Sequence, residues 1–463
     1  MAFAQQRNVT GTVTDNQGIP LPGVNITIKE TSRGVQTDFD GNYSIQAETG
    51  EILIFSFVGL RTKEVVVGED NTVSVVLEMD AAELDAVVVT ALGIKARPRS
   101  VTSAIETVTS DDIENSGETN LANALSSKAA GVNVISSSGS VGASSTIRIR
   151  GNTSINKPNS PLFVIDGVPI DNSNTGNSNA GADQSNRAID INQADIASID
   201  ILKGTAAQTL YGLRAANGVI LITTKKGIAG APTISITSTT QFSNVSQVPD
   251  LQQEFAQGRP SNGVLTYRGP ETRESFSWGP RVSSLEYDGD TSYPYHRLGR
   301  LVPQGTGNGQ PAETYDHYDF FVTGILQDQN VSVRGGSEKI KYYISGSNLD
   351  QTGISPKEKF SRKSFRSDIS AMLTDKFEVS GSANFVNSGG RRVQRGSNIS
   401  GVMVGIVRTT PTFDNGNGLS GRDAADNPST YELPNGTQRS YRAGVYDNPY
   451  WTVAKNPSTD DVK

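Results

Sequence analysis

From residue 232 onward the chain alternates apolar and polar residues with a period of two. In "SFRSDISAML", Phe365, Ile369, Ala371 and Leu373 share one face, and Arg366, Asp368 and Ser370 the other. "KFEVSGSANFV" repeats the pattern, with Phe377, Val379, Ala383 and Phe385 against Glu378, Ser380, Ser382 and Asn384. Such alternation specifies strands with two chemically opposed faces. Two architectures satisfy it: a sandwich with its apolar face inward, or a membrane barrel with its apolar face outward. Loop lengths favour the barrel. Gly335-Gly336 and Thr374-Asp375 read as tight turns, and "LDQTGISPKEKFSRK" between them reads as a long polar connection. Short turns at one end and long loops at the other are the outer-membrane arrangement.

The rest of the sequence bounds this reading. No run of about 18 apolar residues exists, so no helix can span a bilayer. A strand needs only about 9 to 11 residues to cross. The net charge of -7 argues against nucleic acid as a partner. There are no cysteines, hence no disulfide and no thiolate metal site. Only room for about ten strands follows residue 232, and a barrel of eight to ten strands is filled by its own side chains. The ending "NPYWTVAKNPSTDDVK" shows no strand pattern. An incomplete barrel is therefore expected.

Ahead of the alternating region lie two others. Residues 8–80 carry short strands ("VTGTVTD", "VNITIKE", "NYSIQA", "EILIFSF", "TKEVVV", "TVSVVLE") parted by turn residues, the pattern of a small β-sandwich. "DFDGN" hints at a calcium loop, but Tyr43 and Thr49 stand where that loop needs Gly and Glu, so a hairpin turn is expected. Residues 1–7, "MAFAQQR", read as a signal-peptide remnant or tail, with Ala2-Phe3-Ala4 shaped like a cleavage site. Residues 100–228 mix helix and strand. They include a helix around Leu121 to Lys128, the strand-turn-strand "PLFVIDGVPI", and "NGVILITTKKG", where Asn217-Gly218 signals a hairpin.

Between the sandwich and the mixed domain stands "ELDAVVVTALGIKARP", a strand with no sheet of its own. A lone strand presents unpaired N–H and C=O groups that seek another sheet's edge. The alternative is a last strand of the sandwich.

No catalytic set is evident. His296 and His317, in "YPYHR" and "YDHYD", read as surface or loop histidines. Asp166, Asp171, Asp183, Asp190, Asp195 and Asp200 read as solvated turn residues. No metal site or cofactor motif is expected, and the chain does not read as an enzyme.

The ordered motifs "LDAVVVTALGI", "NALSSKAAGVNV", "GASSTIRIRG", "PLFVIDGVPIDN" and "DINQADIASIDILKGTAAQTLYGLRAANGVILITTKKG", with "SWGPRV" and "YDFFVTGILQDQNVSVRGGSEKIKYYISGSNLDQTG", resemble the SusC/RagA-type TonB-dependent outer-membrane transporters of Bacteroidetes. Ser127 departs from the glycine usual in the family's "LSGK" run. The resemblance implies a mainly β chain: a carboxypeptidase-regulatory-like sandwich (8–80), a TonB box and linker (81–99), an α+β plug (100–228) and the first strands of an antiparallel transmembrane β-barrel (229–463), incomplete because family members are about twice as long. It implies that TonB captures Leu84, Asp85, Ala86, Val87, Val88, Val89, Thr90, Ala91 and Leu92 by strand addition in the periplasm, releasing the plug. It implies a SusD-like surface lipoprotein as partner and an oligosaccharide or peptide as substrate. On the plug's outward loops, Asn152, Asn156, Asn159, Asn172, Asn174 and Asn177 are the candidate substrate contacts. The competing reading is a non-transporting periplasmic or surface β-rich binding protein. A third, an enzyme with a regulatory sandwich, is weakened by the shortage of metal-ligand histidines.

Overall fold

A computed structural model gives the fold. It describes residues 7–462 apart from 16–17, 30, 32, 58–59, 69, 78–87, 90–94, 97–104, 115–120, 127, 137–138, 153, 156–158, 173–185, 375 and 398. The chain divides into two compact units, Met1–Thr102 and Ser103–Lys463.

The first unit contains two facing sheets. One holds Asn42–Ala47, Arg7–Thr14 and Val75–Val76 in that order; the other holds Gly34–Gln36, Asn25–Ile28, Ile52–Phe57 and Leu60–Val66. Alternate residues of Asn42–Ala47 are buried, as period-two patterning requires. Val9, Val13, Ile26, Tyr43, Ile45, Leu53 and Phe55 form the core. Tyr43 meets Phe55 edge-on at 5.5 Å, and its hydroxyl donates to the Val73 carbonyl at 2.7 Å. The "DFDGN" segment corrects the hairpin expectation. Asp38 Oδ1 accepts from Asp40 and Asn42 N–H groups, and Gly41 takes φ 74°. The flanking strands belong to different sheets, so this turn carries the chain from one sheet to the other.

The second unit begins with a five-stranded sheet in the order Ile105–Thr109, Ile196–Leu202, Val219–Thr224, Leu162–Ile165, Val168–Ile170. A two-stranded ladder, Val132–Ser136 with Ser145–Ile149, packs beside it. Phe163, Ile196, Ile199, Ile201, Ile220 and Ile222 fill the core with Leu121, Leu125, Ile147 and Ile149. Asp166 and Gly167 both have positive φ (47° and 88°), as a two-residue hairpin of primed type requires. The helix near Leu121 is shorter than the sequence reading, spanning Leu121–Ala124 before turns take over. Asn217-Gly218 is not a hairpin. Helix Thr205–Tyr211 and the turn after it connect Ile196–Leu202 to Val219–Thr224, and Gly218 (φ 92°) only admits the chain to the buried strand.

The remainder is a six-stranded antiparallel sheet of sequential neighbours: Gly230–Ser243, Gly324–Gly336, Ile340–Thr352, Lys359–Thr374, Phe377–Arg392 and Ser458–Val462. Two sequence expectations need correction. The connection "LDQTGISPKEKFSRK" is mostly strand, leaving only 353–358 as turn, because Leu349, Phe360 and Arg362 are buried against the α+β region and extend the ladder. The end of the chain does form a strand: Ser458–Val462 pairs with Ser388–Arg392. "STDDV" lacks apolar alternation, so its pairing comes from the open edge beside it rather than from its own pattern. The long excursions are 244–323 and 393–457. They fold together, with Phe320, Val402, Ile406, Tyr431, Tyr450 and Val453 in one shared core.

Candidate functional site

The six-stranded sheet is inside out by the standard of a soluble protein. One face carries Ile234, Ile236, Val331, Ile344, Phe365, Ile369, Leu373, Phe377, Val379 and Phe385, all exposed. Register aligns them in rows: Ile236, Val331, Gly346, Phe365 and Phe385 stand side by side. From Phe365 to Leu373 the band spans roughly 26 Å along the strand, close to the apolar height of an outer-membrane wall. The tight turns lie beyond its one edge, and Asn348, Lys363 and Asn387 beyond the other.

The opposite face is polar and covered. Tyr343, Ser345, Ser347, Arg362, Ser364, Arg366 and Asp368 are buried. What covers several of them is the α+β domain, and polar pairs make the seam. Asp195 Oδ1 accepts from the Tyr343 hydroxyl at 2.7 Å and from Ser345 Oγ at 2.5 Å. The Arg366 guanidinium donates to Asp166 Oδ2 at 3.1 Å and to the Thr224 hydroxyl, which itself donates to Asp166 at 2.6 Å. Arg362, wholly buried, donates to the Ile189 and Ile191 carbonyls at 2.8 and 3.1 Å. Ser388 donates to Asp190 at 2.6 Å. Arg392 donates to the carbonyls of Val141 and Gly142 at 3.2 and 3.1 Å. Gly142 (φ 64°) lies so close to the wall that a Cβ there would stand 2.6 Å from Phe360 and 2.9 Å from Arg392. A small apolar patch of Val141, Ile189, Leu349 and Phe360 completes the seam.

Buried charge of this kind costs least where it is hydrogen-bonded; Arg362 and Arg366 bond through their terminal nitrogens, while their Nε atoms have no partner. Its value is positional. Directional, charge-assisted bonds at several points along the seam fix one docked geometry.

The carboxylates thus differ from the sequence reading. Asp195 and Asp200 are buried rather than solvated, Asp200 bonding Thr107 at 2.5 Å, and Asp166 and Asp190 serve the seam. Asp183 lies outside the described residues. The partners on the wall (Tyr343, Ser345, Arg362, Ser388, Arg392) were not singled out as functional from sequence. For Arg362 and Arg392 the signal is a cation at a polar-face position of a strand whose other face is apolar.

The histidines also differ. Both are buried. His296 stacks on Tyr287 at 4.7 Å, and its Nε2 bonds the Tyr315 hydroxyl at 2.8 Å. Burial, with Arg439 nearby, pushes its pKa down to about 4. His317 Nε2 lies 3.0 Å from the Thr410 carbonyl, and burial likewise lowers its pKa. His317 thereby ties the two long excursions together, whereas the ring and hydrogen-bond contacts of His296 lie within 244–323. Among the described residues no cluster of His, Cys, Asp or Glu could hold a metal.

The stretch read as a strand with no sheet of its own does pair in part: Val88–Val89 forms a two-residue antiparallel ladder with Lys95–Ala96. Leu84, Asp85, Ala86, Val87, Thr90, Ala91 and Leu92 lie outside the described residues. Asn152 is exposed. Asn159 bonds both backbone groups of Ser154, at 2.9 and 2.8 Å. Asn172 accepts from the Ala188 N–H at 2.8 Å. Asn156, Asn174 and Asn177 lie outside the described residues.

Comparison with known proteins agrees with this architecture. Residues 97–219 match the TonB-dependent Receptor Plug Domain family, and residues 9–89 the CarboxypepD_reg-like domain family. TonB-dependent receptor SusC of Bacteroides thetaiotaomicron is 31% identical over 99% of this chain and 40% of its own length. TonB-dependent receptor P26 of Formosa agariphila is 33% identical over 81% of this chain and 34% of its own. The chain therefore spans about two fifths or less of these relatives. Among solved structures, the RagAB peptide importer in its open-open state superimposes with a TM-score of 0.50 at 22% identity, over 71% of this chain and 35% of that one.

Proposed function

Taking as premise that this chain is a SusC-type TonB-dependent receptor over the length it covers, we propose that it supplies the plug and part of the wall of an energy-coupled outer-membrane importer. The observation that carries this reading is the polar seam: a plug hydrogen-bonded to the polar face of a sheet whose other face is apolar and exposed. In this reading the wall stands in outer-membrane lipid, and the sandwich and residues 81–99 face the periplasm. Leu84 to Leu92 add as a strand to TonB. A pull there reaches the plug first at Ile105–Thr109, which is the edge of its five-stranded sheet. That strand is clasped by Glu106 to Lys203 at 2.5 Å, with Lys203 lowering the pKa of Glu106 through that bond.

The substrate class is an oligosaccharide or peptide, taken with a SusD-like surface lipoprotein as lid, and Asn152, Asn156, Asn159, Asn172, Asn174 and Asn177 are its proposed plug contacts. Transport rather than catalysis is the activity, and the soluble binding-protein reading is not favoured, since it leaves the exposed apolar face unexplained. The segments 8–80, 81–99, 100–228 and 229–463 are its working divisions.

The test is deletion of Leu84 to Gly93 in the full chain. Calorimetry against a TonB C-terminal domain should show binding lost while the sandwich keeps its melting transition. Undiminished binding would sink the TonB-box assignment.

A further inference from the structure

One end of the sandwich carries an apolar projection that its core does not use. Phe39, on the 38–42 turn, is 95% exposed. Ile19 on the neighbouring turn is 56% exposed, with Pro20 and Pro22 exposed beside it. The last two residues of Arg7–Thr14 hold this end together. The Val13 N–H donates to the Gly41 carbonyl at 2.8 Å, and the Leu21 N–H donates to the Val13 carbonyl at 2.9 Å. The two turns abut so closely that a Cβ on Gly41 would stand 3.1 Å from Pro20 Cβ. Asp38 Oδ1 accepts the Asp40 and Asn42 N–H groups, and Asp15 Oδ1 accepts the Ile19 N–H at 2.8 Å, so both turns are fixed from within. Charge here is one-sided. Asp15, Asp38 and Asp40 belong to these turns. The one described cation bordering them is Lys63, which donates to the carbonyl of Val76, the partner of Thr14. Arg7 and Arg33 stand at the opposite end, beside Ala47 and Gln46, and Lys29 pairs with Glu64 at 2.9 Å.

We propose that Phe39 and Ile19, with the carboxylates around them, form a second docking point for the periplasmic partner that captures Leu84 to Leu92. The occupant is an apolar pocket of that partner rimmed by basic side chains. Position selects this partner. The chain leaves the sandwich at the same end, where the Leu77 N–H donates to the Thr14 carbonyl at 2.9 Å. Leu84 follows seven residues on, a span of about 25 Å at full extension. A partner that takes Leu84 to Leu92 as a strand is thereby delivered to the patch, and the second contact forms within one complex, so a small surface suffices. Phe39 supplies the aromatic anchor such contacts rely on. The three carboxylates select a basic rim and reject an acidic one.

This inference rests on the TonB-coupled reading, and the test separates the two. Calorimetry compares the full chain with Phe39→Ser, Asp40→Asn, Val66→Ser and the Leu84 to Gly93 deletion, all against the same TonB C-terminal domain. Phe39→Ser should weaken binding about tenfold while the melting transition of the sandwich stays in place. Asp40→Asn should weaken it about threefold and flatten its dependence on salt. Val66→Ser removes another exposed apolar side chain, paired with Ile52 at the far end of the sandwich, and should change nothing. The deletion should abolish binding, since the patch alone is too small to hold a partner. Unchanged affinity in Phe39→Ser, with binding lost on deletion, overturns the second docking point and leaves strand capture intact. Equal weakening by Phe39→Ser and Val66→Ser also overturns it, by making the loss unspecific. Undiminished binding after the deletion sinks strand capture, and with it the delivery of the partner to this patch. A full chain that binds no TonB domain overturns both.

Discussion

Asp195 offers the sharpest test of the seam. It is buried, as are Tyr343 and Ser345, whose hydroxyls both donate to its Oδ1. Asp195→Ala leaves both wall donors without an acceptor and without access to water, and also orphans the Asn192 amide that donates to Oδ2 at 3.1 Å within the plug. A hydrogen bond to a charged group contributes about 1.5–3 kcal/mol, so losing both should weaken docking by roughly 3–5 kcal/mol. Tyr343→Phe removes one donor and leaves the carboxylate bonded to Ser345, so it should weaken docking by about 1.5 kcal/mol. Hydrogen exchange of the Ile196–Leu202 amides, in the full chain, reads the opening of this region. A loss of about 3 kcal/mol corresponds to exchange faster by roughly 150-fold. In the double variant the effect of Tyr343→Phe should largely vanish, because its acceptor is already gone. Simple additivity, or an Asp195→Ala change below about threefold, would refute the claim that this contact holds the plug to the wall.

Two further outcomes follow from the same geometry. Gly142→Val places a branched side chain against Phe360 and Arg392 at a positive φ, so it should displace the 139–144 turn and destabilise docking by more than 2 kcal/mol, measured as protease sensitivity of the plug with the sandwich still intact. His296 is neutral when folded, with a pKa near 4, against about 6.5 when unfolded. As pH falls below about 6.5 the unfolded chain takes up the proton first, so stability is full above that pH and is lost down to about pH 4. The loss is about 3 kcal/mol for the packed excursions, and His296→Phe should flatten the melting-temperature slope across that window.

Legibility in the sequence followed the range of the forces involved. The sandwich strands and the wall strands were readable because a period of two records which side of a strand meets apolar surroundings, residue by residue. Which side the rest of the chain covers was not readable from that period, since a sandwich and a barrel share it, and loop length had to arbitrate. Ser458–Val462 was invisible because its pairing is supplied by a neighbour's open edge. The seam was hidden for another reason. Asp166 and Asp195 look like turn carboxylates in their own segments, and their partners Arg366 and Tyr343 lie 200 and 148 residues away. His296 and His317 likewise sit in polar, loop-like sequence, and only the folding of 244–323 onto 393–457 buries them.

The most direct test of the central claim is which face of the wall meets lipid. The chain has no cysteine, so single spin labels can be placed without background at Ile344, Phe365 and Phe385 on the apolar face and at Ser347 and Ser364 on the polar face. In membranes, the first three should collide with oxygen and be shielded from a water-soluble nickel chelate, while the other two should be shielded from both by the plug. Nickel accessibility at Ile344, Phe365 and Phe385 would contradict the central claim and would put that face in water.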